Sequence, residues 1–238
     1  MGTFGSASAR HLEEAFAEAT GRAGRADPVL PGSGGPAGNA SLTAWTGVLL
    51  LVLGIAELLT LVDVRGLISW HVAIGALLLP PALLKTLSTG WRIARYYTGA
   101  PSYRAAGPPP LVLRVLGPLV VVSTLSLLAS GVVLVLLGQE TSRQALFTSG
   151  PWRVDWITVH QASFAVWAVA TGLHVLGRLL PMLRLTAGRG GAAPPGRPWR
   201  LAVLAAATVA AVALAVLLVG AEDSWRHVAV LRYDDGSR

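Results

Sequence analysis

Five stretches of this chain are each long and apolar enough to span a membrane, and that decides most of what it can fold into. The hydrocarbon core of a bilayer is roughly 30 Å thick, which takes about 20 residues of helix. The runs fall near Leu42–Val62, Leu67–Leu87, Leu111–Leu137, Trp156–Leu183 and Leu201–Val219. Each is apolar all round, so the helical assignment comes from length and from the need to satisfy every backbone N–H and C=O where no water reaches. With 53% of its 238 residues hydrophobic and 13% charged, the chain has too little polar sequence for a soluble domain beyond the tails. The expected fold class is all-α: an integral membrane helical bundle of five transmembrane helices.

Residues 1–41 read as a cytoplasmic N-terminal tail, largely disordered. "HLEEAFAEATGRAGR" is charged and short-period, and "PGSGGPAGNAS" has the composition of a flexible linker. No signal-peptide core precedes the first run, which is therefore expected to be a true membrane helix with nothing cleaved off. Residues 42–183 form the four-helix membrane core, 184–200 a cytoplasmic loop, 201–219 the fifth transmembrane helix and 220–238 an extracytoplasmic tail. The chain has no cysteine. That excludes disulfides, thiolate-held iron–sulfur clusters, covalent C-x-x-C-H haem and a cysteine nucleophile. Redox chemistry would have to ride on a non-covalently held cofactor.

Arginine placement predicts the orientation. One side of the membrane receives the N-tail and the segments after the second and fourth helices, with Arg92, Arg95 and Arg104, then Arg184, Arg189, Arg197 and Arg200; Arg114 and Arg178 lie just inside the adjoining helices. The other side has Arg65, Arg143 and Arg153, interleaved with Asp63, Glu140 and Asp155. The positive-inside rule makes the first side cytoplasmic, with the C-terminus outside a cell membrane. The net charge of +7 is then a topology signal with an anionic-lipid component, and nothing points to nucleic acid. Heavy use of Ala, Gly, Pro and Arg suggests a GC-rich bacterial genome.

Three of the five histidines, His71, His160 and His174, lie within spans. Ionisable groups there are costly and usually functional; His11 and His227, in the tails, read as solvated surface residues. The second and fourth helices run in the same direction. His71 and His160 each stand about four residues into their helix, so both should lie at one depth, roughly 6 Å from the outer end. Two neutral imidazoles facing each other there suit axial ligation of one haem iron. His174 follows His160 by fourteen residues, nearly four turns on the same face and roughly 21 Å along the axis. Lys85, the chain's single lysine, follows His71 by the same fourteen. The pair of helices thus offers two stations, His71 with His160 and Lys85 with His174. Glycines leave room for a porphyrin plate between helices: Gly117 and Gly131, also fourteen apart, on the third helix; Gly75 a turn after His71; Gly172 and Gly177 beside His174; Gly47 and Gly54 on the first.

These residues resemble the four-helix core of the cytochrome b/b6-like family of di-haem membrane cytochromes, in a bacterial branch. The resemblance covers roughly Leu42 to Leu183, leaving one extra helix and both tails outside it. It implies that His71, His160 and His174 are haem ligands, that Gly117 and Gly131 face haem, and that the chain serves electron transport. Lys85 occupies the place of the family's fourth histidine and departs from the pattern.

For Lys85 three readings stay open: snorkelling of its ammonium to the interface, pairing with a haem propionate or another anion, and ligation opposite His174 after losing a proton. Pro80–Pro81 should kink the helix between the two stations. Glu57 is either a proton acceptor or imidazole partner, or a neutral acid bonded to a neighbouring helix. Arg178, one turn past His174, either meets a propionate or snorkels. Trp91, Tyr96 and Tyr97 among arginines form an interfacial belt. The functional expectation is a b-type cytochrome, an electron-transfer subunit with one haem b at His71 and His160 and a second, open, at His174. It would exchange electrons with a quinone or a redox partner protein, as a homo- or hetero-oligomer within the membrane. It reads as a subunit of an oxidoreductase, since no substrate-sized soluble domain is visible. A haem-free scaffold or assembly protein is the alternative, and a quinone- or metal-reducing enzyme the third reading.

Overall fold

The computed structural model describes residues 3–23, 27–187 and 193–225. His227, Arg189 and residues 226–238 of the expected tail lie outside the described residues. The described part is almost wholly helical. In chain order it contains α1 (Thr3–Ala19), α2 (Gly35–Thr60) with a 3₁₀ turn at Leu61–Asp63, α3 (Ile68–Tyr97), α4 (Pro101–Ala106) and α5 (Leu111–Ser142). A two-stranded hairpin of β1 (Phe147–Ser149) and β2 (Trp152–Val154) follows, then α6 (Trp156–Thr186) and α7 (Arg197–Gly220). Five of these helices, α2, α3, α5, α6 and α7, are long and apolar enough to cross a membrane, and the chain is a multi-pass membrane protein. The two least apolar are α3 and α6, with mean hydropathies of 1.5 and 1.4 against 2.2 to 2.8 for the others. They are the helices that carry His71, Lys85, His160 and His174.

The five helices outrun the apolar stretches that mark them, because polar and arginine-bearing turns extend each one past the hydrophobic run. α3, for example, takes in Trp91–Tyr97. It is one continuous helix through Pro80 and Pro81. A backbone break lies in α5 at Gly138, whose φ of 74° and ψ of 170° are not helical. That break is capped: the Trp225 indole N–H donates to the Leu134 carbonyl at 3.1 Å, satisfying an acceptor that a helix end leaves open. The positive φ favours glycine here, and a Cβ would also lie a tight 3.0 Å from Ser224 Oγ.

In place of a largely disordered N-tail, Thr3–Ala19 is a helix. Its sequence, rich in Ala and Glu, favours one, and its end is held to the rest of the chain by a Glu18–Arg178 ion pair and an Arg184 hydrogen bond to the Gly21 carbonyl at 2.8 Å. Just beyond it, Asp27 pairs with Arg92 at 2.6 Å.

The chain divides into two compact units. The first comprises Met1–Val48, Leu83–Val122 and Ala168–Leu204. Within it, Asn39 Nδ2 donates to the Ser88 carbonyl and hydroxyl at 2.9 and 2.8 Å, and Thr43 Oγ1 meets Ser88 Oγ at 2.9 Å, tying α2 to α3. The second comprises Leu49–Ala82, Ser123–Trp167 and Ala205–Arg238. Its core is a cluster of Ala76, Val135, Ala215 and Leu218, which packs α7 against α3 and α5. Buried positions are dominated by Ala, Ser and Thr, while Val52, Leu59, Val122, Leu176 and Val216 are exposed. That is the pattern of helices packed through small residues with their large side chains turned to lipid.

Candidate functional site

The second unit brings His71 and His160 together. Their ring centroids are 6.4 Å apart and the planes cross at 84°. Both helices begin close before the histidines, for local reasons. On α6 the Asp155 carboxylate accepts from the Thr158 backbone N–H and hydroxyl, each at 2.8 Å, and so caps the helix N-terminus five residues before His160. The Thr158 backbone bond, then its hydroxyl and the Arg153 charge, hold the Asp155 carboxyl below the usual carboxylate range, against an opposing effect of burial. On α3 the turn that starts the helix is closed by Asp63, which accepts from the Gly66 N–H at 3.0 Å.

The Nδ1 atoms of both rings are occupied. His71 Nδ1 lies 2.9 Å from Thr60 Oγ1 and 3.0 Å from Glu57 Oε1. His160 Nδ1 lies 3.0 Å from Ser130 Oγ. Each hydroxyl has already committed its own proton to a carbonyl three residues back: Thr60 to Glu57 at 2.6 Å, Ser130 to Leu127 at 2.9 Å. Each oxygen is therefore left as an acceptor, and the network assigns the proton of each neutral imidazole to Nδ1. Nε2 then carries a lone pair on both rings. This is the arrangement found where imidazole binds a metal, with the second nitrogen oriented by a carboxylate or hydroxyl behind it. Two imidazoles on opposite faces of one metal, with bonds of about 2.0–2.1 Å, have ring centres about 6 Å apart, close to the 6.4 Å seen here. That separation is compatible with axial ligation.

The glycines divide by surroundings. A Cβ on Gly131 would stand 3.3 Å from His160 Cε1, so this glycine makes room for the imidazole itself. Gly75 faces Glu57, whose Oε1 lies 3.5 Å from where its Cβ would be. Gly117 has nothing within 4 Å. Glu57 Oε2 is buried with no hydrogen-bond partner among the described residues. The acid thus has a definite neighbour in His71, and Thr60 and Ser130 are site residues that sequence reasoning missed.

The first unit holds Lys85 and His174 in a different state. Lys85 Nζ donates to the Thr43 carbonyl on α2 at 3.0 Å. It also stands 3.0 Å from a Cβ position on Gly47, with Met182 Sδ at 3.2 Å from the same point. His174 Nδ1 and Thr171 Oγ1 are buried without hydrogen-bond partners among the described residues. Arg178 is engaged by Glu18 of α1. His11 lies 3.6 Å from Glu14 on its own helix. Among the described residues no group of three or more His, Asp or Glu side chains converges as a metal site. No family model, curated protein or solved structure matches the chain.

Proposed function

We propose that this protein is a membrane b-type cytochrome, an electron-transfer subunit that holds one haem b between His71 and His160. The observation that carries the reading is the pair of Nδ1-locked imidazoles 6.4 Å apart, each presenting a bare Nε2. When bound, haem supplies reversible one-electron exchange at its iron. The residues around it do the rest. Thr60 and Ser130 fix ring tautomer and orientation. The Glu57 carboxyl, 3.0 Å from His71 Nδ1, helps to orient that ring, whereas His160 has a hydroxyl alone. Gly131 keeps the space beside the His160 ring clear.

The wider reading follows the sequence. Arginines gathered on the side of α4 favour a cell-membrane protein with its N-terminus in the cytoplasm and its C-terminus outside. Electrons would come from, or go to, a quinone or a redox partner protein. The chain would then be a relative of the cytochrome b/b6-like family whose Lys85 station has been altered.

The test is pyridine haemochrome analysis of detergent-purified protein from a haem-sufficient host. One haem b per chain is expected, lost in His71→Ala and in His160→Ala, with helical circular dichroism retained. A wild-type protein without haem would transfer the same hydrogen bonds to the second reading, a haem-free scaffold whose buried polar groups join helices.

A further inference from the structure

We propose that α1 is an amphipathic helix seated in the membrane surface, with Leu12 and Phe16 inserted among the lipid chains of the leaflet where α6 ends. α1 is not one of the five spans, so its exposed apolar side chains are not explained by crossing the bilayer. Leu12 is 61% exposed and Phe16 59%, one helical turn apart. His11, Glu14, Ala17 and Glu18 line a cleft of about 500 Å³ with Pro108–Pro110 and Arg114. At about 100° per residue, Leu12 and Phe16 point away from that cleft. The helix therefore turns a polar side to the protein and an apolar pair outward.

Its depth follows from its attachments. Glu18 pairs with Arg178, eight residues before the end of α6 at Thr186, and the Gly21 carbonyl accepts from Arg184, two residues before it. Eight residues of helix are about 12 Å. The 31 residues of α6 come to about 46 Å, which overshoots a hydrocarbon core of roughly 30 Å by about 8 Å at each end. Glu18 thus sits near the hydrocarbon boundary, and Phe16 lies within a turn of it. At that level an exposed Leu–Phe pair finds acyl chains.

The charges match a phospholipid surface. The Arg22 guanidinium lies 5.0 Å over the Phe16 ring and its Nε donates to Thr20 Oγ1 at 3.1 Å, so a cation stands where the aromatic meets the headgroup layer. Arg184 adds positive charge nearby, suited to lipid phosphate. The occupant of this face is the lipid of the membrane the chain already spans.

The absence of cysteine makes the test direct. Leu12→Cys, Phe16→Cys, Arg10→Cys and Glu13→Cys are made one at a time in the full chain. Each is spin-labelled and reconstituted into phosphatidylcholine–phosphatidylglycerol vesicles. Relaxation by oxygen, which concentrates in lipid, is compared with relaxation by a water-soluble nickel chelate. Labels at 12 and 16 should favour oxygen, and labels at 10 and 13 nickel. Four nickel-accessible labels would overturn the proposal, and so would labels at 12 and 16 shielded from both reagents, which would mean a protein covers the face. Adding Glu18→Gln should raise nickel access at 12 and 16 several-fold; no change would overturn the anchoring by Arg178.

Discussion

Ser130 and Gly131 are neighbours on α5 and act on the same imidazole, one by accepting its Nδ1–H at 3.0 Å and the other by having no Cβ 3.3 Å from its Cε1. Removing the hydroxyl in Ser130→Ala leaves His160 free to rotate and to carry its proton on either nitrogen. Loss of such an outer partner typically costs about 10–100-fold in ligand-site affinity. Ser130→Ala is therefore expected to release haem to apomyoglobin at least ten times faster than wild type, with the ligand pair still intact by spectrum. The glycines give a sharper contrast: Gly131→Val should empty the site, whereas Gly117→Ala, with open space around it, should leave haem content unchanged. Haem per chain in the two purified variants decides this. The histidines were legible because an ionisable side chain inside an apolar run stands out. Thr60 and Ser130 were not, since hydroxyls in membrane helices commonly bond back to their own backbone, and both do so here. Nothing in their spacing announces that the same oxygen also accepts from a ring.

Element by element, sequence and structure part company where tertiary contacts decide. The five spans could be read from hydrophobic length, but their ends could not, because Arg and Tyr continue a helix as readily as Leu does. The charge of "HLEEAFAEATGRAGR" points to disorder, because the partners of α1, Arg178 and Arg184, lie about 160 residues away in sequence, beyond any local pattern. The hairpin between α5 and α6 has a local cue in the sequence. Gly150, at φ 57°, opens a two-residue loop between Ser149 and Trp152, the place where a II′ turn takes glycine. The cap of α6 was also readable, since Asp155 precedes Thr158 just ahead of an apolar run. Its loss in Asp155→Ala should cost about 1 kcal/mol of stability. The Asp155 pKa is lowered on folding, so this carboxylate contributes in full above its unfolded value of about 3.9, and the contribution fades as pH falls through the lower folded value. Thermal melts in detergent at pH 7 should separate wild type from Asp155→Ala, and the gap should narrow below about pH 4.

For the molecule as a whole, the charge distribution and the two units make separate statements. If the positive-inside reading holds, Thr98→Cys beyond α3 should react with a membrane-impermeant maleimide only in broken cells, and Ser149→Cys in the hairpin should react in intact ones; the reverse pattern would invert the chain. Haem stoichiometry rests on the interior of each unit by itself. The second unit offers two imidazoles with Nε2 bare and a glycine clearing the ring. In the first, no imidazole is paired with His174 among the described residues, and Lys85 Nζ donates to the Thr43 carbonyl 3.0 Å away. The gap that Gly47 leaves is taken up by Lys85 Nζ and Met182 Sδ, 3.0 and 3.2 Å from its Cβ position. An ammonium offers no lone pair to iron; a neutral amine does, and can still donate to a carbonyl. Ligation there would need the ammonium to release a proton and Nζ to turn its lone pair to iron while held at the Thr43 carbonyl on α2. One haem per chain is therefore expected, unchanged in Lys85→Met and His174→Ala. Two haems in wild type, falling to one in either variant, would instead make Lys85 and His174 an axial pair. Had a histidine stood at position 85, the fourteen-residue spacing would have implied two full stations; the lysine is what turns one of them into a link between α2 and α3.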